Sequence, residues 1–157
     1  MNTEPVTLPP IYDETSYRPV RNVGRHMIDV AAQLNHAIDR RASVLGITGP
    51  QWIVLIRIGS GVGASAAELC RLLGHDSGSM TRMLDRLEKR NLIRRDRCVE
   101  DRRIVKLKLT ESGWALYPKL APVAVDVQNR LLRGFTHDEV AQLMGFLDRM
   151  LANEVDR

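Results

Sequence analysis

Apolar positions along the chain fall into runs of helical spacing, separated by glycine and proline. Val23, Met27, Val30, Ala31, Leu34, Ile38 and Leu45 recur at near-helical intervals. They predict a first helix starting near Pro19, a residue tolerated in a first turn, and stopping at Gly46. About 27 residues at 1.5 Å each give roughly 40 Å. A helix that long in a small domain leans on a partner. Thr48-Gly49-Pro50-Gln51 reads as a capping box, with the Thr48 hydroxyl serving the third helical N–H and Gln51 reaching back. The box assigns Trp52 to Ile58 to a helix, although their β-branched residues also suit a buried strand. Gly59, Gly61 and Gly63 then interrupt the chain.

Ser65 is placed to cap a short helix, Ala66 to Leu73, and Gly74-His75-Asp76 makes a tight turn. A further helix is predicted from near Ser77 to about Arg90, with Asn91 in the left-handed position after it. Leu92 to Arg95 and Ile104 to Leu109 read as two strands joined by a polar tip, Asp96 to Arg103. In the second strand Val105, Leu107 and Leu109 share one face and Lys106 and Lys108 the other. Thr110 and Ser112 open a helical stretch to about Arg133 that Pro118 and Pro122 should kink or divide. Thr136 and Glu139 form a second capping box. The helix it starts carries an apolar face of Val140, Leu143, Met144, Leu147 and Leu151. Residues 1 to 17, with Pro5, Pro9 and Pro10 and no periodicity, read as an extended arm.

Charge sharpens this picture. The 157 residues carry a formal net charge of +4. From Arg82 to Lys108 there are eleven Lys or Arg against five Asp or Glu, a surplus of six, so the remainder is net −2. The positive charge is thus concentrated on one predicted helix and the hairpin after it, as expected of a footprint for a polyanion. Aromatic residues make up only 4% of the chain, which argues against a stacking platform for single strands.

The order helix, glycine-containing turn, helix and basic hairpin is a winged helix-turn-helix plan. The expected fold is therefore mainly α with a small antiparallel β wing, flanked by N- and C-terminal helices. In the second helix of the motif, Met80, Met83, Leu84 and Leu87 follow core spacing. Ser79, Arg82, Arg86 and Arg90 are left to project. The N-terminal end of such a helix enters the major groove. There an arginine can bond guanine O6 and N7, and a Ser or Thr can bond a base edge or a phosphate. Ser77, Ser79, Thr81, Arg82 and Arg86 are the candidate DNA-contacting residues on that helix, with Arg95 on the wing. At the tip, Asp101-Arg102-Arg103 suits insertion of an arginine into a narrow A·T-rich minor groove, braced by the acid two residues away.

The run Leu73-Gly74-His75-Asp76-Ser77-Gly78-Ser79-Met80-Thr81-Arg82-Met83-Leu84-Asp85-Arg86-Leu87-Glu88-Lys89-Arg90 resembles the recognition segment of MarR-family regulators. Asp101-Arg102-Arg103 and Val105-Lys106-Leu107-Lys108-Leu109-Thr110-Glu111-Ser112-Gly113 follow in the family's order. Upstream, Ile47-Thr48 with Gln51-Trp52-Ile53-Val54-Leu55 is similar to its second helix. The resemblance covers roughly residues 45 to 114. It implies a homodimer with interlocked terminal helices, a palindromic double-stranded operator, repression, and release by a small phenolic or aromatic acid. On this pattern residues 18–46 and 111–157 dimerise, and 47–110 form the DNA-binding domain. Asp101 would orient Arg103 toward the minor groove, and Thr81 and Arg95 match positions lining a ligand site in some members. Asn91 stands where the family more often has glycine, and the arm before the first helix is long. Members that sense peroxide carry a cysteine on the first helix, and this chain has none there.

Other functions fit less well. Gly59-x-Gly61-x-Gly63 matches neither phosphate-binding glycine pattern, so no catalytic residues and no cofactor are expected. The four histidines lack metal-ligand spacing, and no metal is expected. Cys70 and Cys98 form no CxxC pair. A redox-responsive regulator using Cys98, in its basic hairpin, or Cys70 is one alternative. An architectural protein binding DNA without sequence choice is another. The longest apolar run, Ile53 to Ile56, is too short to span a membrane, and no signal peptide pattern is present. The expected location is the cytoplasm.

Overall fold

A computed structural model describes residues 9–63, 65–97 and 105–153. The order is α1 (Val23–Ala42), a 3₁₀ turn (Ser43–Leu45), α2 (Gly49–Gly59), α3 (Ala66–Leu73), α4 (Ser77–Lys89), β1 (Ile93–Arg97) and β2 (Val105–Leu109). Then come α5 (Glu111–Leu116), a second 3₁₀ turn (Tyr117–Lys119), α6 (Leu120–Leu131) and α7 (His137–Ala152). The chain divides into two compact units, Met1–Gln33 and Leu34–Arg157.

In the smaller unit the chain reaches α1 through a tight turn. The Thr15 hydroxyl and the Ser16 and Thr15 N–H groups donate to the Asp13 carboxylate and lower its pKa to about 2. The Tyr12 and Tyr17 rings meet edge to face at 6.0 Å, and the Tyr12 hydroxyl accepts the Val23 N–H. Asn22 accepts the Arg25 N–H at 2.9 Å. That side-chain cap starts the helix at Val23 rather than near Pro19, since an Asx cap defines a start more sharply than a tolerated proline.

In the larger unit each helix start has a side-chain acceptor where the sequence expects one. Thr48 and Gln51 form the reciprocal box opening α2. Ser65 accepts the Glu68 N–H at α3, and Thr110 the Gly113 N–H at α5. Gly46 ends the first helical stretch in the left-handed region at φ 72°. Pro118 falls in the second 3₁₀ turn and Pro122 in the first turn of α6, where a missing N–H breaks no intrahelical bond. The predicted stretch from 110 to 133 is thereby divided.

The core gathers Ile47, Trp52, Val54, Leu55 and Ile58 with Leu69, Met80, Met83, Leu84 and Leu87, then Ile93, Leu107, Leu109, Leu120 and Val123, all buried. The Trp52 indole N–H donates to the Leu120 carbonyl at 3.0 Å, a buried tie between α2 and α6. Arg41 pairs with Asp126 at 2.8 Å, and the Asp39 carboxylate accepts the Gly49 N–H at 2.7 Å. At Gly113 a Cβ would lie 2.1 Å from the Leu92 carbonyl oxygen. Glycine is thus what lets α5 approach the start of the hairpin this closely.

β1 and β2 pair antiparallel, with Ile93 opposite Leu109, Arg95 opposite Leu107 and Asp96 opposite Lys106. β1 begins one residue later than the sequence predicts and runs on through Asp96 and Arg97. Asp96, assigned to the tip by the sequence, is held in the ladder, its carboxylate 3.1 Å from Lys108 and 3.3 Å from Arg94. Cross-strand charge pairs of this kind extend a strand beyond its apolar run. Cys98 to Arg103, the rest of the expected tip, and Ile104, the expected start of the second strand, lie outside the described residues. α7 has both halves of its capping box but buries none of its residues. Among the described residues no single helix is long and apolar enough to cross a membrane.

Candidate DNA interface

α3 and α4 form the helix-turn-helix. Gly74, at φ 64°, ends α3 with its N–H on the Cys70 carbonyl, and the His75 N–H bonds the same oxygen. This left-handed stop is the glycine geometry of a helix C-terminus. Two residues on, the Asp76 carboxylate accepts the Ser79 N–H at 2.8 Å and opens α4. That N–H bond lowers the Asp76 pKa; burial opposes the shift, and the nearby Arg82 charge adds a lesser lowering.

The apolar stripe of α4 faces the core, with Met80, Leu84 and Leu87 fully buried and Met83 nearly so. The opposite face is open. Ser77, Thr81, Arg82 and Arg86 are exposed, and Ser79 is half-buried beside the cap. The Thr81 hydroxyl donates to the Ser77 carbonyl at 2.8 Å, so its oxygen is left to accept. Among the described residues neither Arg82 nor Arg86 is held in an ion pair. Arg82 leans back toward the helix start: a Cβ on Gly78 would lie 3.5 Å from its Nη1. A Cβ at position 78 would only touch that guanidinium at ordinary contact distance, and would come closer, 3.3 Å, to the Asp76 carboxylate. Arg90, which the spacing assigns to the same stripe, is instead turned away, donating to the Gly46 carbonyl at 2.7 Å.

Arg95 does not stand free as the sequence suggests. Its Nη1 is 2.5 Å from Glu88 and its Nη2 2.7 Å from Asp85, both on α4. Thr81, its expected companion at a ligand site, sits one turn before Asp85 on the same helix. Sequence reasoning does not single out the two acids, although Asp85 and Glu88 share one side of a helix by their spacing of three. Asp101, Arg102 and Arg103 lie outside the described residues. On the outer face of the wing Arg94 is opposite Lys108, and both are exposed.

Similarity to known proteins converges on one family. A model of the MarR family matches residues 45–104. Wild-type MarR from E. coli in its apo form is 31% identical, over 85% of this chain and 99% of that one, with a TM-score of 0.72. The chain belongs to the MarR family. Like other MarR-family proteins, it is a DNA-binding transcriptional regulator of winged-helix build. A cysteine-to-serine mutant of E. coli MarR, solved in complex with operator DNA, is 33% identical over 82% of this chain and 93% of that one, at a TM-score of 0.74. A MarR-family regulator from Listeria monocytogenes, solved with a 26mer DNA, is 26% identical over 85% and 89%, at a TM-score of 0.78.

Proposed function

We propose that this MarR-family regulator is a homodimeric, sequence-specific repressor that reads a palindromic operator and is released by a small aromatic or phenolic acid. The observation that carries the reading is the open face of α4, where Arg82 and Arg86 are exposed beside Thr81 and, among the described residues, meet no acid in an ion pair. Such a face supplies bidentate donors for base edges at the helix end that enters a major groove. Ser77, Ser79 and Thr81 would add phosphate or base contacts, and Asp101, Arg102 and Arg103 would carry the wing to the adjacent minor groove. Residues 47–110 form the DNA-binding part, and 18–46 and 111–157 bring two copies together. The relatives solved with DNA support this use of the fold.

Selection from a random double-stranded pool at physiological salt tests the reading. The expected product is a palindrome with half-sites one helical turn apart, about 34–36 Å. On that operator Arg82→Ala costs about 1–3 kcal/mol and relaxes preference at one position of each half-site. An equal loss on every sequence would assign Arg82 to phosphate instead. Salt-sensitive binding with no enriched sequence would turn the reading to an architectural protein.

A further inference from the structure

The inward face of the wing holds a charge that its strand pattern would not ordinarily bury. Side chains alternate along a strand. Ile93, two residues before Arg95, is 1% exposed, and Leu107, opposite Arg95, is 5% exposed. Arg95 therefore shares the face that packs on the core, while Arg94 and Lys108 occupy the outer one. From that position its guanidinium forks across one turn of α4, one nitrogen to Asp85 and the other to Glu88. No other cation among the described residues is within ion-pair distance of either acid.

The acids are not buried. The side chain of Asp85 is 56% exposed and that of Glu88 40%, against 30% for Arg95. Asp85 lies three residues after Arg82, four after Thr81 and next to Arg86, so it stands within the face that would meet DNA. An unmasked carboxylate there repels phosphate within a Debye length. Exposed ion pairs add little to fold stability. The consequence of this pair lies at the interface rather than in the core.

We propose that Arg95 is a positioning and charge-masking residue: from β1 it holds Asp85 and Glu88 of α4, so that the reading face approaches the duplex with one net negative charge there instead of two. It acts through those acids and does not itself touch the nucleic acid. The inference rests on the reading role of α4. Operator binding by the unsubstituted protein tests that role, and the ratios among variants test Arg95.

The experiment measures operator affinity as a function of salt for four full-length proteins: unsubstituted, Arg95→Gln, Asp85→Asn/Glu88→Gln, and the triple variant. At low salt Arg95→Gln weakens binding about tenfold, and the loss shrinks as salt screens the acids. Its melting temperature stays near that of the parent. Asp85→Asn/Glu88→Gln binds more tightly than the parent, a result that needs no substitution at Arg95. The triple variant stays within about twofold of that double variant, because with the acids neutral Arg95 has nothing to mask. A loss equal in both backgrounds, with the salt slope reduced by about 0.9, would make Arg95 a phosphate contact and overturn the proposal. Unchanged binding by Arg95→Gln, or weaker binding by Asp85→Asn/Glu88→Gln, would overturn it as well.

Discussion

α4 and α7 are written in nearly the same language and end in opposite states. Both are amphipathic, both open on a side-chain cap, and both carry apolar residues at helical spacing. α4 buries Met80, Met83, Leu84 and Leu87 to 4% exposure or less. α7 leaves Leu143, Met144, Phe146 and Met150 between 37% and 53% exposed, and Leu151 at 83%. A cap and a stripe make a helix, but burial requires a surface to meet. α4 finds one in α3 and in β1 of the wing. α7 finds none sufficient within its own unit, and an apolar face of that extent on a surface helix marks an interaction site. The stripe of α4 is thus covered from within the chain, whereas on the proposed reading a second copy of the chain covers the terminal helix.

The sharpest way to break this contrast is to charge the face of α7. Leu143→Asp/Met144→Asp removes nothing from the core, so the fold of the DNA-reading part should persist by circular dichroism. Sedimentation should show monomers at micromolar concentration. Operator affinity should fall at least about a hundredfold, because the second half-site is no longer held at high effective concentration. A dimer of unchanged stability would move the seam elsewhere.

The converse substitution attacks the buried helix. Leu84→Ala removes a fully buried side chain from the centre of the core and should cost about 2–5 kcal/mol in chemical denaturation. Leu143→Ala, on the exposed face, should leave the stability of a dissociated monomer within about 0.5 kcal/mol of the parent. Equal costs would mean that α7 is packed after all.

The same contrast shows what is readable from residues alone. Caps are local: the hydroxyls of Thr48, Ser65, Thr110 and Thr136 accept the N–H three residues ahead, and the chain places them without knowing the fold. The left-handed stops at Gly46 and Asn91 are local too. Stripes are half local, since the spacing in α4 and α7 identifies a face but not what covers it. Long-range pairings are what residue patterns miss. Asp96 joins β1 because Lys106 and Lys108 lie across the ladder, and Arg90 turns to Gly46, a residue 44 positions away. Arg95 is the instructive case. Alternation from Ile93 already puts it on the inward face, but only the fold brings Asp85 and Glu88 to meet it there.

The smallest expected effect distinguishes the two helix starts. α4 opens on a carboxylate, Asp76, accepting the Ser79 N–H. α7 opens on a hydroxyl, Thr136, accepting the Glu139 N–H, with the Glu139 carboxylate returning to Thr136. The Asp76 pKa is lowered, first by the Ser79 N–H and also by the Arg82 charge. A carboxyl whose folded pKa lies below its unfolded value contributes stability that is complete above the unfolded pKa of about 3.9 and is lost as pH falls through the folded one. Glu139 is lowered as well, through the Thr136 N–H and hydroxyl, but the amide it caps with Thr136 is bonded to an oxygen that does not titrate. Amide protection measured from pH 6 downward, corrected for intrinsic exchange, should therefore fade at Ser79 below the usual carboxylate range and persist further at Glu139. Asp76→Asn keeps an acceptor without a titrating charge and should flatten the Ser79 profile. Parallel loss at both amides, unaltered by Asp76→Asn, would mean that acid melts the two helices by a common route and that their starts do not differ in kind.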